Sequence, residues 1–201
     1  GTTILWIACC NKHTDIVSEL LNMGVDPNKG NFKGDSPMIP ACQKGNDTIV
    51  DMLLESGARL DAYNINRDNA ILITCRNGQS RILERLFKSL NKEDLAKMLS
   101  TFAEIDGFTP LLASCELDKV DCMRICLKYG DNIERRAEND NKMIPGGTSM
   151  HLAAFYGRCA ALKFLVDEKA NIKSQTTVHG YTPLHYAIKN KNVEIVKLLI
   201  Q

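Results

Sequence analysis

The sequence predicts an all-α protein built from about six consecutive helix-pair units. A motif that begins with glycine recurs along the chain at a nearly regular interval, and each copy is followed by apolar pairs at helical spacing. The composition agrees with an ordinary globular chain, because 44% of the 201 residues are hydrophobic and 24% are charged.

The motif reads glycine, then Thr or Ser, Pro, Leu or Met, and a small residue. Its clear copies are residues 1–8, 34–41, 107–114, 146–153 and 180–187. Residues 67–74 form a weaker copy, placed by their distance from Gly34, which equals the distance from Gly1 to Gly34, and by the pattern that follows them. The units therefore start near residues 1, 34, 67, 107, 146 and 180.

Each unit predicts two helices. The first opens at a Thr or Ser cap, Ser36 and Ser149 among them, with Pro at the first helical position, where its missing N–H costs nothing. A glycine such as Gly45, Gly78 or Gly157 closes this helix in the left-handed conformation. The second helix carries two apolar pairs four residues apart, for example Ile49-Val50 and Leu53-Leu54.

Residues 180–187, GYTPLHYA, followed by 193–199, VEIVKLL, resemble an ankyrin repeat. Thr-Pro-Leu-His at the period of this family, with helix-closing glycines at two fixed offsets, is far more specific than a lone tetrapeptide, and the resemblance covers essentially the whole chain. It implies one domain over residues 1–201, an α-solenoid of antiparallel helix pairs with hairpin loops and a concave binding face. It also implies that His151 and His185 hydrogen-bond neighbouring backbone.

Two units are longer than the family period. Residues 91–106 predict a helical insert, because Asn91-Lys-Glu-Asp94 reads as a cap ahead of apolar residues at helical spacing. Residues 135–145 are polar and charged and predict an extended loop. Insertions in solenoids often lie on the binding face. Tolerated variation in length is the alternative, and both stay open.

Three first helices lack their closing glycine. Lys12, Asp118 and Lys191 stand at that position, so we expect strained, less regular corners there. Pro40 falls in or just past a first turn, which predicts a slight kink without a break. The chain ends on an apolar second helix, so we expect a fragment of a longer protein.

Charge and motifs argue against several classes of function. The net charge of +1 gives no reason to expect nucleic acid or an anionic membrane surface as a partner. No apolar stretch approaches the length that a membrane span needs. Phosphate-binding loops, Gly-x-Ser-x-Gly, His-Glu-x-x-His and Cys-x-x-Cys are all absent from the sequence. We therefore expect no catalytic residue, no metal site, no cofactor and no enzymatic activity.

Partner-binding candidates lie at the hairpin tips and at exposed positions of the first helices, since second helices would pack on the convex side. Aromatic side chains concentrate there in the last three units, and such side chains anchor interfaces. Packing against the neighbouring unit is the alternative. The candidates in those units are Phe108, Glu116, Leu117, Leu152, Phe155, Tyr156, Tyr181, Tyr186 and Lys189. In the N-terminal half they are Lys44, Asp68 and Arg76, whose mixed charge favours a polar or charged peptide.

The eight cysteines follow the repeat. Cys9, Cys42, Cys75 and Cys115 occupy one position of four successive units, so we expect them at the helix-packing surface. Neighbouring helices lie about 8–10 Å apart, too far for equivalent cysteines to form disulfides. This pattern predicts free thiols in a reducing, cytoplasmic compartment.

The sequence leads to two hypotheses of function. The first is a non-catalytic module, monomeric as a fragment, that binds a peptide or protein partner in its groove. The second is a regulatory or scaffold arm of a larger enzyme, such as a kinase or ubiquitin ligase, or of a channel. The identity of the partner lies beyond what a fold class determines.

Overall fold

The computed structural model describes residues 1–100, 107–137 and 144–200. These ranges hold thirteen helices and no strand, and an isolated antiparallel bridge joins Arg136 to Thr148. The all-α class of helix pairs predicted from the sequence is confirmed. The helices are α1 (Ile4–Cys10), α2 (Thr14–Asn22), α3 (Met38–Lys44), α4 (Asp47–Glu55), α5 (Ala70–Asn77), α6 (Ser80–Ser89), α7 (Lys92–Ser100), α8 (Pro110–Glu116), α9 (Val120–Lys128), α10 (Ser149–Tyr156), α11 (Cys159–Asp167), α12 (Pro183–Lys189) and α13 (Val193–Ile200).

The chain divides into two compact units, Gly1–Met98 and Leu99–Gln201. In the first unit, α1, α3 and α5 pack side by side as a first-helix row, and α2, α4 and α6 form a second-helix row. In the second unit, α8, α10 and α12 form the first-helix row, and α9, α11 and α13 form the other. Each first helix also packs on the second helix that follows it. That residues 1–201 form one domain stays a prediction.

The apolar pairs of the second helices form the core between the rows. Ile49, Val50 and Leu53 of α4 are completely buried, and Ile82 and Leu83 of α6 are at most 1% exposed. Full burial of one such side chain contributes about 1.5–3 kcal/mol. The spacing read from the sequence therefore marks the face of each second helix that holds its unit together.

Threonine caps begin several first helices, as the motif predicts. These caps are Thr3, Thr109, Thr148 and Thr182. The expectation that Ser36 and Ser149 cap their helices was wrong. Helix α3 begins at Met38 without a side-chain cap, and Ser149 is the first residue of α10, directly after its cap. Helix α3 continues through Pro40 without a break, because this proline lies in the first turn.

Left-handed backbone occurs at the three corners that lack glycine. Lys12, Asp118 and Lys191 have φ of 57°, 57° and 58°. The side chain of Asp118 offsets part of this strain, because its Oδ1 accepts a hydrogen bond from the N–H of Ala161 at 2.7 Å. Arg67 has the same conformation, with φ of 57°.

The first insert is helical in its described part. Asn91 caps α7, because its Oδ1 accepts the N–H of Asp94 at 2.8 Å, and Met98 is 3% exposed. In the second insert, the N–H of Ala137 donates to the carbonyl of Gly147 at 2.8 Å, beside the bridge from Arg136 to Thr148. Residues 101–106 and 138–143 of the two inserts lie outside the described residues.

Lys191→Gly should stabilise the protein by about 0.5–1 kcal/mol, because a left-handed conformation costs a residue with a Cβ more than glycine. Lys191→Ala removes the same side chain but keeps the Cβ, so it should give no gain. Asp118→Gly should stabilise the protein less than Lys191→Gly does, since it also removes the hydrogen bond to Ala161. Chemical denaturation measures all three, and an equal gain for the glycine and alanine variants at residue 191 would contradict the strain.

Candidate functional site

The second unit carries an aromatic cluster, defined here as Phe155, Tyr156, Tyr181, His185 and Tyr186. Phe155 and Tyr156 end α10, Tyr181 directly precedes the cap of α12, and His185 and Tyr186 lie within α12. Helices α10 and α12 are neighbours in the first-helix row. Their packing brings into contact aromatic side chains that belong to two successive repeats of the sequence.

Tyr186 lies at the centre of the cluster. Its ring meets those of Phe155 and Tyr181 edge to face, at centroid distances of 5.9 and 5.7 Å. Phe155 also meets Tyr156 at 4.9 Å, and Tyr181 stacks on His185 at 5.4 Å with an interplanar angle of 4°. Each aromatic pair contributes about 0.5–1.5 kcal/mol beyond its buried area. The inner rings therefore hold the outer rings in one arrangement.

The outer part of the cluster is accessible to solvent. Tyr181 is 37% exposed, His185 is exposed, and Phe155 and Tyr156 are half-buried. The Arg158 guanidinium lies 5.8 Å from the Tyr156 ring centroid, and its Nε donates to the carbonyl of Glu116 at 2.7 Å.

Arg158 thereby links the cluster to the end of α8, where two more of the candidates lie. Leu117 is 38% exposed and Glu116 is half-buried, while Lys189 of α12 is exposed. The accessible surface of the second unit thus combines aromatic rings, a leucine and charged side chains of both signs.

Three of the candidate residues are buried, and the expectation that they are exposed was wrong. Phe108 and Tyr186 are 1% exposed, and Leu152 is completely buried. Leu152 lies in α10, which has α8 on one side and α12 on the other, so a position that would face solvent on a lone helix is covered. Tyr186 is covered in the same way by the rings of Phe155 and Tyr181.

The candidates of the first unit are charged, and two of them pair with each other. Arg76 Nη2 lies 3.4 Å from Asp68 Oδ1, and their side chains are only 24% and 13% exposed. Lys44, at the end of α3, is exposed. Of these three, Lys44 is therefore the residue whose charge faces the solvent.

A hydrogen-bonded network at the hairpin tips of the first unit escaped the sequence analysis. Asp35 accepts bonds from the side-chain amides of Asn31, at 2.9 Å, and Asn64, at 2.8 Å. The N–H of Ile65 donates to the carbonyl of Lys33 at 2.8 Å, so neighbouring tips are joined. The recurrence of asparagine at residues 31 and 64, one period apart, was the signal that could have found it.

These tips present apolar side chains to solvent. Phe32 is 74% exposed and Ile65 is 65% exposed, at equivalent positions of successive units. Lys33 and Arg67 are exposed beside them, and the Lys33 ammonium lies 5.8 Å from the Phe32 ring centroid. The tips of the first unit thus combine exposed apolar and cationic groups.

The histidines of the repeat motif have structural roles, as the resemblance implies. His151 Nδ1 accepts the N–H of Thr148 at 3.1 Å, so the ring proton lies on Nε2, which donates to the carbonyl of Tyr181 at 3.0 Å. His185 Nδ1 accepts the N–H of Thr182 in the same way. Burial of His151 lowers its pKa to about 4, against a smaller opposing contribution from its backbone hydrogen bonds.

The cysteines lie where the repeat predicts, and all eight are free thiols. Cys9, Cys42, Cys75 and Cys115 are completely buried. Burial is the main cause that raises the pKa of Cys9 and of Cys42 to about 12. Cys9 and Cys42 therefore carry little thiolate and act as small packing residues.

The part of the chain that the structure describes contains neither a candidate metal centre nor a candidate membrane span. No three side chains of His, Cys, Asp or Glu there are grouped so that they could hold a metal ion. In the same ranges, no helix combines the length and the apolar character that crossing a membrane requires.

The sequence matches the family of ankyrin repeats (3 copies) over residues 1–64, 71–176 and 136–201. The crystal structure of the human ASB11 ankyrin repeat domain superposes with a TM-score of 0.78 over 98% of this chain and 82% of that chain, at 23% identity. This similarity concerns the fold alone.

Several longer proteins are similar over part of the chain. Inversin of Gallus gallus is 30% identical over 55% of this chain and 10% of its own length. Transient receptor potential cation channel subfamily A member 1 of Homo sapiens is 31% identical over 48% of this chain and 8% of its own length. SMC5-SMC6 complex localization factor protein 1 of Bos taurus is 30% identical over 56% of this chain and 11% of its own length. The matched stretch thus spans about a tenth of each relative.

Acidification should destabilise the second unit through His151. The pKa of His151 lies below that of an unfolded histidine, 6.5. Its contribution to the free energy of unfolding is therefore complete above pH 6.5 and is lost as the pH falls towards 4. The loss should reach about 3 kcal/mol. His151→Gln preserves a capping box without a titrating group, so its unfolding free energy should change less between pH 6.5 and 4. An unchanged pH profile in this variant would contradict the role of His151.

Thiol reactivity should separate the cysteines by burial. Without reductant, eight thiols should react with Ellman's reagent in denaturant, because all eight are free. In the folded protein, the half-buried Cys10 and Cys159 should react first and the six buried thiols much more slowly. Cys10→Ser and Cys159→Ser should each remove one fast equivalent. Fewer than seven reactive thiols in denatured wild type would indicate a disulfide.

Proposed function

Because the chain belongs to the ankyrin-repeat family, we propose that it is a non-catalytic interaction module that binds a peptide or protein partner on the concave face of its repeats. Ankyrin repeats generally serve as protein–protein interaction modules. The observation that carries the proposal is the aromatic cluster, in which the buried ring of Tyr186 contacts the accessible ring of Tyr181 and, through Phe155, supports that of Tyr156. Tyrosine and arginine dominate the energy of protein interfaces.

The chemistry of this surface suits a partner that offers both apolar and polar groups. Tyr156 and Tyr181 each combine a large apolar ring with a hydroxyl, and they lose little rotamer freedom on binding. Leu117 and Lys189 lie at the ends of α8 and α12, and Arg158 lies against the Tyr156 ring, so these residues add one aliphatic contact and two positive charges. A peptide with aromatic or aliphatic side chains and some acidic groups matches this surface.

Lys44 is the contact that we propose in the first unit. Asp68 and Arg76 neutralise each other there and are largely buried, so they help to hold the hairpin in place. The joined tips also keep Phe32 and Ile65 in fixed positions on the surface.

The roles of the histidines and cysteines support a function without covalent chemistry. Both ring nitrogens of His151 are engaged in structural hydrogen bonds. Burial keeps Cys9 and Cys42 protonated and inaccessible. Packing and helix capping therefore explain the presence of these side chains.

The proposal includes the setting in which the module acts. Eight free thiols support a reducing, cytoplasmic location, where disulfides are rare. The near-neutral net charge of +1 supports a protein partner over nucleic acid. We expect the isolated chain to be monomeric, which sedimentation velocity would measure.

A second candidate is a regulatory or scaffold arm of a larger enzyme or a channel. The relatives favour it, because the matched stretch is only 8% of the human cation channel and 10% of chicken inversin. Under this reading the repeats contact another part of the same polypeptide. Capture of a separate partner by residues 1–201 alone would favour the first function over this one.

Tyr156→Ala and Tyr181→Ala should each weaken partner capture by at least about ten-fold, because each removes an accessible aromatic anchor. Quantitative affinity capture with wild-type and variant chains from cells that express the protein measures this loss. The thermal midpoints should fall by only a few degrees, because each variant loses aromatic pairs at the edge of the cluster but keeps Tyr186, so both chains should remain folded during capture.

Two matched variants control this experiment. Tyr129→Ala removes a tyrosine from the end of the second helix α9, so capture should persist. Tyr186→Ala removes the buried ring and should cost about 3 kcal/mol in folding. Undiminished capture by both Tyr156→Ala and Tyr181→Ala would overturn the assignment of this surface.

A further inference from the structure

A cavity of about 310 Å³ opens in the first unit between the loop after α4 and residues 94–98 of α7. Leu54, Leu60, Leu90 and Met98 line its apolar part. Helix α7 belongs to the segment that makes the third sequence repeat, residues 67–106, longer than the second repeat, residues 34–66. Helix α7 therefore supplies one wall of the cavity, through Asp94, Lys97 and Met98.

The walls of the cavity are held from several directions. Leu60 is 7% exposed and Met98 is 3% exposed, so both are anchored in the core. The loop after α4 is fixed by Asn28, whose Oδ1 accepts the N–H of Arg59 at 2.7 Å and whose Nδ2 donates to the carbonyl of Gly57 at 3.2 Å. The cavity is thus largely formed before anything binds, which lowers the entropic cost of binding.

The acidic groups on the rim already have donors. Asp61 accepts hydrogen bonds from Nε and Nη2 of Arg59, both at 3.0 Å. This pairing is the main cause that lowers the pKa of Asp61, and the charge of Lys97 adds to it. Asp94 accepts a bond from the side-chain amide of Asn91 at 2.7 Å. Both rim carboxylates are therefore engaged by neighbouring side chains.

Arg59, on the rim of the cavity, has N–H donors that its pairing with Asp61 does not use. A guanidinium has five N–H donors, and Arg59 uses two of them on Asp61. Its Nη1 donates to no residue in the described ranges, and its side chain is 67% exposed. Lys97, also exposed, places a second positive charge on the rim. An incoming carboxylate can bind Arg59 without breaking the existing pair.

We propose that this cavity is a docking site for an acidic peptide segment that inserts one large apolar side chain between the 58–61 loop and α7. The volume lies at the lower end of the range for small-molecule pockets, which suits a single side chain. Leu54, Leu60 and Met98 bury that side chain, and Arg59 and Lys97 bind the flanking carboxylates. The site lies wholly within residues 54–98 and needs no residue of the aromatic cluster, so it goes beyond the function proposed above.

Three blocked tripeptides test the two parts of this recognition on the full 201-residue chain. The probes are acetyl-Asp-Trp-Asp-amide, acetyl-Asn-Trp-Asn-amide and acetyl-Asp-Ala-Asp-amide, and the readout is the ¹³C-methyl resonance of Met98. Asp-Trp-Asp should shift this resonance in a saturable way. The Asn-Trp-Asn peptide should bind about three-fold more weakly, and the Asp-Ala-Asp peptide at least about ten-fold more weakly.

Arg59→Gln is the matched test of the charge. This substitution should lower the affinity for Asp-Trp-Asp by about three-fold and leave the affinity for Asn-Trp-Asn unchanged, because only the first peptide presents carboxylates. Arg81→Gln removes an arginine that is 85% exposed on α6 and does not line the cavity, so both peptides should bind as to wild type. Lys97→Gln tests the second cation on the rim in the same titration.

Two results would overturn the proposal. A Met98 resonance that does not respond to Asp-Trp-Asp would show that the cavity takes no such side chain. Equal affinity of wild type and of both the Arg59→Gln and Lys97→Gln chains for Asp-Trp-Asp would show that the rim does not recognise acidic groups. Neither result bears on Tyr156 or Tyr181, so failure here is distinguishable from failure of the interaction function.

Discussion

The side-by-side burial of small and apolar residues between neighbouring helices is the interaction on which each unit depends. The helices are short, from 7 residues in α1 to 10 residues in α6, and helices of this length are not stable in water alone. Each one persists because its neighbours in the row cover its apolar face. The burial of Cys9, Cys42 and Cys75 at one equivalent position follows from this constraint, since a small side chain lets adjacent helices approach closely.

The same packing decides how polar groups are accommodated. His151 is completely buried between helices, and it is tolerated because both its ring nitrogens have partners. At the hairpin tips, Asp35 accepts hydrogen bonds from both Asn31 and Asn64, which belong to successive repeats, so the loops are held together without a regular sheet. Polar side chains thus stabilise the corners and hairpin tips of the repeats, which lie outside the apolar core.

The candidate surfaces grow out of this framework. Tyr186 belongs to the core and to the aromatic cluster at once, so recognition by Tyr156 and Tyr181 rests on a residue that the fold needs. The cavity beside α7 is built differently, because an added helix covers one side of a loop that is already fixed by Asn28. The aromatic cluster is formed by the first-helix row itself, and one wall of the cavity is formed by an insert that departs from the repeat.

The repeat, the helix pairs, the threonine caps and the left-handed corners at Lys12, Asp118 and Lys191 could all be predicted from the sequence. These features depend on spacing and hydrogen bonds within a few residues of the chain, so a local pattern is sufficient to predict them. The burial of Phe108, Leu152 and Tyr186, and the cavity that Arg59 and Met98 line together, follow from the packing of neighbouring helices and could not be predicted from the sequence. Exposure depends on which helix lies alongside, and a single helix contains no information about its neighbour's side chains.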